Sequence, residues 1–365
     1  MITADAPGKL IVIGEYAVLA GAPGIAVAVD VRARARITPV ADAGSSLLIP
    51  ETGARHPFRW ISGGAPRWVG DSPGAFGLPL EAVTEILYAR GHLQRAGDLP
   101  ATEIALSTAD FHCTDDRGER HKLGLGSSAA VVVALAGALL RHAGVAGVAQ
   151  AELLAIACEA HRRLQGGAGS GTDVATALYG GTVGVSFPVA GGAPQVAPLP
   201  WPRGLHALAI WTGRSASTPA MLARLRSYQQ AQPAAAATHL ARLAAGASRA
   251  LDAWRAGDPR GVLVAAEHFA RALRQLDEAV GLGIYSAEHD RLARLAAAAG
   301  VAYKPSGAGG GDYGLALTDQ REALAGLRQA VEAEGFRCLD RPLGAPGLSV
   351  QGAATDRRPL AGRAG

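Results

Sequence analysis

The sequence predicts an α+β chain divided into two domains, and three observations carry that reading. At 365 residues the chain is long for a single hydrophobic core, and chains of that size tend to split. Strand-like and helix-like segments are mixed in both halves. Between the halves lies "PVAGGAPQVAPLPWPRG", residues 188–204, where Pro and Gly crowd together and periodicity stops, as in a linker. The expected division is 1–187, a linker at 188–204, a second domain at 205–352 and a disordered tail at 353–365.

The elements follow in order. "GIAVAVDVRARARI" alternates with period two, Val27, Val29, Val31, Ala33 and Ala35 on one face and Arg32, Arg34 and Arg36 on the other. That pattern is a strand with one buried side and a solvated arginine row. "PLEAVTEILYARGHL" reads as a helix, "ATEIALS" as a strand, Ser128–Arg141 and Ala151–Leu164 as helices, and "LYGGTVGVSF" as a strand. Beyond the linker come a strand, "LHALAIW", and several alanine- and arginine-rich helices between Thr218 and Ala299. A strand pair around "YGLAL" and "GLSVQ" flanks a last helix near residues 320–334.

Composition narrows the class. Hydrophobic residues make up 49% and charged residues 18%, enough apolar material for a substantial core. The net charge of +4 comes from scattered arginines without a basic block, so no nucleic-acid or membrane-surface partner is expected. Three widely spaced cysteines (Cys113, Cys158, Cys338) give neither a disulfide framework nor a metal cluster. "MITADAPGKL" carries no charged-then-apolar leader, and the longest apolar run, Ala129 to Leu140, is too short to cross a bilayer. A cytoplasmic protein is expected.

Function is concentrated in glycine. The chain has three lysines against thirty-two arginines, and each lysine falls in a glycine-rich stretch: "APGKL" (Lys9), "KLGLGSS" (Lys122) and "KPSGAGGGD" (Lys304). In "GLGSSAA", Gly124, Leu125, Gly126, Ser127, Ser128 and Ala129 precede a long apolar helix. Free N–H groups and the partial positive charge at a helix start attract phosphate, and glycine lets backbone approach an anion. In isolation, a tight turn with a serine N-cap would read the same way. The P-loop pattern is absent, because no lysine follows the second glycine. Gly124, Gly126 and Ala129 match the dinucleotide pattern formally, but "DDRGERHK" precedes them where a buried strand should be. A nicotinamide dehydrogenase is thus a remote alternative. The third stretch packs five glycines between Gly307 and Gly314, as backbone crossing close to a ligand or to another backbone would require, or as a flexible hairpin would show.

Taken in order and spacing, "PGKLIVIGEYAVLAG", "GLGSSAA" and "KPSGAGGGDYGLAL" resemble the three motifs of the GHMP kinases, which phosphorylate small metabolites. The resemblance spans about residues 5–352. "QGGAGSGTDVATALYGGTV", "WTGRSASTPAML" and the "GEYAVL" form of the first motif are similar to the phosphomevalonate kinase branch. The resemblance implies the two-domain GHMP kinase architecture, with an N-terminal α+β phosphate-loop domain and a C-terminal ferredoxin-like α+β domain. It implies ATP and Mg2+ as cofactors and phosphomevalonate as acceptor, with mevalonate or a sugar as the alternative acceptor.

It implies roles as well. Asp173 would accept or orient a proton on the attacking group, with Lys9 beside it. The Gly124–Ala129 backbone would hold the ATP phosphates, and Ser128 would offer magnesium a hydroxyl. Lys9, Glu15, Tyr16, Ser170, Gly171, Arg214, Ser217, Thr218, Ser306, Gly307 and Ala308 would line the substrate side, with Arg67 and Arg163 as further cations for a phosphorylated acceptor. Mevalonate kinases place a magnesium-binding glutamate eleven residues before the aspartate. That position holds Arg162 here, with Glu159 one turn earlier as a possible substitute. The chain would act as a monomer or homodimer. A non-catalytic helical interaction protein would account for residues 218–299 but not for the three lysine-bearing loops.

Overall fold

The computed structural model describes residues 1–41, 44–94, 99–114, 118–167, 169–188, 192–216 and 218–352. The first half opens with β1 (Ile2–Ile13), β2 (Gly24–Pro39), β3 (Ser45–Ile49), β4 (Ala54–Arg59) and β5 (Arg67–Trp68). Next come α1 (Leu78–Ala89), β6 (Thr102–Ser107), β7 (His112–Thr114) and β8 (Arg120–Lys122). It continues through α2 (Ser127–His142), α3 (Gln150–Leu164), α4 (Thr172–Tyr179), β9 (Thr182–Ser186) and β10 (Gln195–Leu199). The second half runs β11 (His206–Trp211), α5 (Thr218–Ala231), α6 (Pro233–Arg255), α7 (Pro259–Val280) and α8 (Ala287–Ala298). It ends with β12 (Ala302–Ser306), β13 (Tyr313–Thr318), α9 (Arg321–Ala333), β14 (Arg337–Cys338) and β15 (Ser349–Gln351).

β2 organises the first sheet. Along one edge it pairs antiparallel with β1, and along the other it meets β9 through Gly24–Val27 and β6 through Arg34–Pro39. Its alternation survives as predicted, with Val27, Val29, Val31, Ala33 and Ala35 buried. Ala26 and Ala28 are buried too, because the opening of β2 has neighbours on both faces. The arginine face is only partly open: Arg32 pairs with Asp5 and Asp30, and Arg34 with Asp110. The apolar run of Ala129–Leu140 lies in α2, buried around almost its whole circumference among α1, α3, α4 and the sheet. No helix among the described residues is long and apolar enough to cross a membrane.

The second sheet has the order β12-β13-β11-β14, antiparallel throughout. Together with its helices this is a βαββαβ, ferredoxin-like unit. Leu208, Ile210, Ala316, Leu292, Leu327 and Val331 form its own apolar cluster under α8 and α9.

Two sequence expectations change. The stretch read as a linker contains β10, which pairs with β9 in the first sheet, because an edge strand only five residues long needs little periodicity to form. "YGLAL" and "GLSVQ" do not pair with each other. β13 sits in the second sheet, while β15 returns to lie antiparallel to β1 (Thr3↔Gln351).

Candidate active site

The three glycine stretches meet in one cleft. Gly124 and Gly126 both have left-handed backbones, with φ of 71° and 84°. They turn the chain from β8 into α2 so that no side chain caps the helix start. The loop is tied to the first stretch by Lys9 N–H donating to Leu125 O at 2.8 Å. A Cβ placed on Gly126 would meet Lys9 Cγ at 3.2 Å and Cε at 3.3 Å, with Asp173 Oδ2 3.7 Å away. The cradle therefore opens directly onto that pair. Gly126→Ala should lower kcat/KM about tenfold, since a left-handed alanine costs roughly 1–2 kcal/mol and the methyl group crowds Lys9. Steady-state kinetics with nucleotide as the varied substrate checks this.

Lys9 Nζ lies 3.6 Å from Asp173 Oδ1. Asp173 stands in the first turn of α4, which starts at a left-handed Gly171. Behind it, buried His161 of α3 brings Nε2 to 3.0 Å from Ser128 Oγ. Burial chiefly holds this imidazole below its ordinary range, opposed by Asp173 and reinforced by Lys9.

The third stretch closes the other side. Lys304 is buried and ion-paired with buried Glu15 Oε1, and Gly307 N–H donates to the same oxygen at 3.3 Å. Tyr16, itself left-handed at φ 60°, donates its hydroxyl to Ala308 O at 2.5 Å. Burial, then Asp277 and Glu15, push that phenol upward. Ser306 Oγ accepts from Ile11 N–H at 3.1 Å and donates to Ile11 O at 2.9 Å. Asp312, at φ 55°, lays its carboxylate against Gly124 and accepts from Ala216 N–H at 3.3 Å. Burial is the main cause that raises its pKa. Beneath the loop His289 bridges Tyr303 Oη and Gly311 O, and burial drives it down to about 4.

Eight of the residues named from sequence line a single cavity of about 170 Å³: Lys9, Glu15, Tyr16, Ser170, Gly171, Asp173, Gly307 and Ala308. Ser127 and Ser128 line a second cavity of about 360 Å³ with Lys122 and Phe76. Arg214 stands apart from both. Its guanidinium, more than half exposed, pairs with Glu288 of α8, because the turn after β11 points it outward. Arg163 pairs with Glu85 and Glu159, and Arg67 is exposed on β5. Glu159 is engaged by Arg90 and Arg163 and lines neither cavity. Ser217 lies outside the described residues, and of Thr218 only its place at the start of α5 is described.

Sequence reasoning missed His161, Asp312 and His289. The first had a signal: Leu154, Ala157, Cys158 and His161 share the buried face of α3 at helical spacing. Asp312 closes the quoted "KPSGAGGGD", but its partners, like those of His289, are set by tertiary packing.

Phosphoryl transfer asks a protein mainly for a phosphate cradle and placed charge. Both meet in this cleft, and the class they define is a small-molecule phosphotransferase. The GHMP kinases N terminal domain matches residues 93–181. Phosphomevalonate kinase of Streptomyces sp. (strain CL190) is 31% identical over 92% of this chain and 95% of that protein. Mevalonate kinase of Bos taurus is 27% identical over 97% of this chain and 96% of that protein. The structure of Streptococcus pneumoniae phosphomevalonate kinase in complex with phosphomevalonate and AMPPNP aligns with a TM-score of 0.74. It covers 94% of this chain and 100% of that one at 20% identity. The chain belongs to the GHMP kinase family and is a kinase.

Proposed function

We propose that this kinase transfers the γ-phosphoryl group of ATP to the phosphate of 5-phosphomevalonate, giving 5-diphosphomevalonate and ADP in the mevalonate route to isoprenoids. The observation that carries the reading is the Lys9–Asp173 pair facing Gly126 at the uncapped start of α2. The acceptor assignment is supported by the 31% identical phosphomevalonate kinase and by arginine at position 162, where the mevalonate kinase pattern expects a glutamate.

The α2 amides and the two left-handed glycines would hold the triphosphate. The nucleoside would lie in the 360 Å³ cavity against Phe76, with Lys122 on the polar side. Among the described residues no group of three or more His, Cys, Asp or Glu side chains could hold a metal. A lone hydroxyl such as that of Ser128 fits magnesium, which keeps waters and takes further oxygens from phosphate. When bound, magnesium supplies neutralising charge to the phosphates. Asp173 orients the attacking oxygen or takes its proton, and Lys9 offsets charge on the transferred group. Glu15 Oε2 is buried without a hydrogen-bond partner, and Glu15 lines the 170 Å³ cavity. It would accept a hydroxyl of the bound acceptor.

One observation favours a second reading, mevalonate itself. Among the described residues lining the 170 Å³ cavity, Lys9 is the one lysine or arginine, whereas phosphomevalonate carries both a phosphate and a carboxylate. Incubation with ATP and, separately, phosphomevalonate, mevalonate and a set of sugars decides between them. ADP release is expected with phosphomevalonate. Release with mevalonate alone establishes the second reading, and release with none removes both.

A further inference from the structure

We propose that His161 is a positioning residue for the Ser128 hydroxyl: its Nε2 accepts a hydrogen bond from that hydroxyl, which would leave the Oγ lone pairs available to a magnesium ion bound with the phosphates. The inference rests on the magnesium–ATP reading above. Its basis is geometric. Nε2 and Oγ are 3.0 Å apart, inside the hydrogen-bonding range. Only 3% of His161 is exposed, so the ring has little room to swing away. His161 lines the cavity that holds Lys9 and Asp173, while Ser128 lines the cavity assigned to the nucleotide. The bond therefore spans the wall between the two.

A serine hydroxyl rotates freely and can both donate and accept. To offer an oxygen to a cation it must send its proton elsewhere, and the ring nitrogen is the acceptor placed to receive it. No carboxylate of α3 competes for that task. Glu152 is held by Arg90 and His92, and Glu159 by Arg90 and Arg163.

The test measures binding of a fluorescent ADP analogue with and without magnesium, in wild type and in His161→Phe, His161→Gln, Ser128→Ala and the Ser128→Ala/His161→Phe double variant. Phe fills the ring's space without a nitrogen, and Gln restores an acceptor. In wild type magnesium should tighten binding. His161→Phe should lose about fivefold of that gain, the worth of one ordinary hydrogen bond, with metal-free affinity unchanged. His161→Gln should keep most of the gain, and His161→Phe should add no further loss on top of Ser128→Ala.

Full magnesium-dependent tightening in His161→Phe overturns the proposal, as does an equal loss of metal-free affinity, which would mean a packing role. Should His161→Phe fail to fold, loss of the gain in well-folded His161→Gln overturns it too. A wild-type protein that binds no nucleotide sinks the magnesium–ATP reading and this inference together, whereas failure in the variants alone leaves that reading intact.

Discussion

Asp173→Asn should lower kcat by about 10²–10⁴-fold, the range for loss of a positioned proton acceptor, while the protein stays folded and binds nucleotide with near wild-type affinity. The substitution keeps the side chain's size and removes its charge. At 3.6 Å from Lys9, with Asp173 about a third exposed, the pair contributes at most about 1 kcal/mol to stability. The first turn of α4 loses a further 0.3–1 kcal/mol, roughly, of dipole stabilisation. Neither approaches the 5–15 kcal/mol, roughly, that holds a domain together, so any loss of turnover belongs to chemistry. The size of the loss also reports on the acceptor. A phosphate oxygen is already anionic at neutral pH and needs orientation more than deprotonation, which places the effect at the lower end. An alcohol needs both and places it at the upper end. Coupled measurement of ADP release, with thermal melts in parallel, decides the matter. Asparagine turning over like aspartate would show that the carboxylate lies outside the reacting centre.

The candidate site was more legible in the sequence than the path of the chain. Lysine beside glycine located Lys9 and Lys304 because a charge kept next to backbone of unusual freedom signals a polar partner close to main chain. Both proved to be paired, with Asp173 and Glu15. The partner of Lys304 lies 289 residues away, and no local pattern shows a pairing at that range. Period two marked β2 as half-buried but could not show that its first residues are enclosed on both faces, nor that β15 would cross back to β1. The pairing of Arg214 was hidden for a related reason: what an arginine meets depends on what faces it, and Glu288, 74 residues on, belongs to another helix. His161 was within reach through the helical period of α3. The motif count drew attention to position 162 instead, one residue and about 100° around the helix away.

Lys304→Met should be the most destabilising of the substitutions considered. It strips the partner from a carboxylate whose side chain is 1% exposed, leaving Gly307 N–H to serve Glu15 Oε1 and nothing among the described residues to serve Oε2. Removing one member of a buried ion pair costs about 3–5 kcal/mol, a large share of total stability. With roughly 2–4 °C per kcal/mol for a chain of this class, the melting temperature should fall by about 6–20 °C. Burial already pulls the Lys304 ammonium downward, with Glu15 as the force that restores it, so the pair is a balance of opposing terms. Glu15→Met/Lys304→Met should recover most of the stability, because two apolar chains of similar volume need no partners. Turnover should not return with it, since Glu15 also lines the cavity beside Lys9 and Asp173. Recovery of fold without recovery of rate separates the two tasks assigned to Glu15, anchoring the third glycine loop and the proposed contact with the acceptor. A single variant that melts like wild type would remove the first task, and a fully active double variant would remove the second.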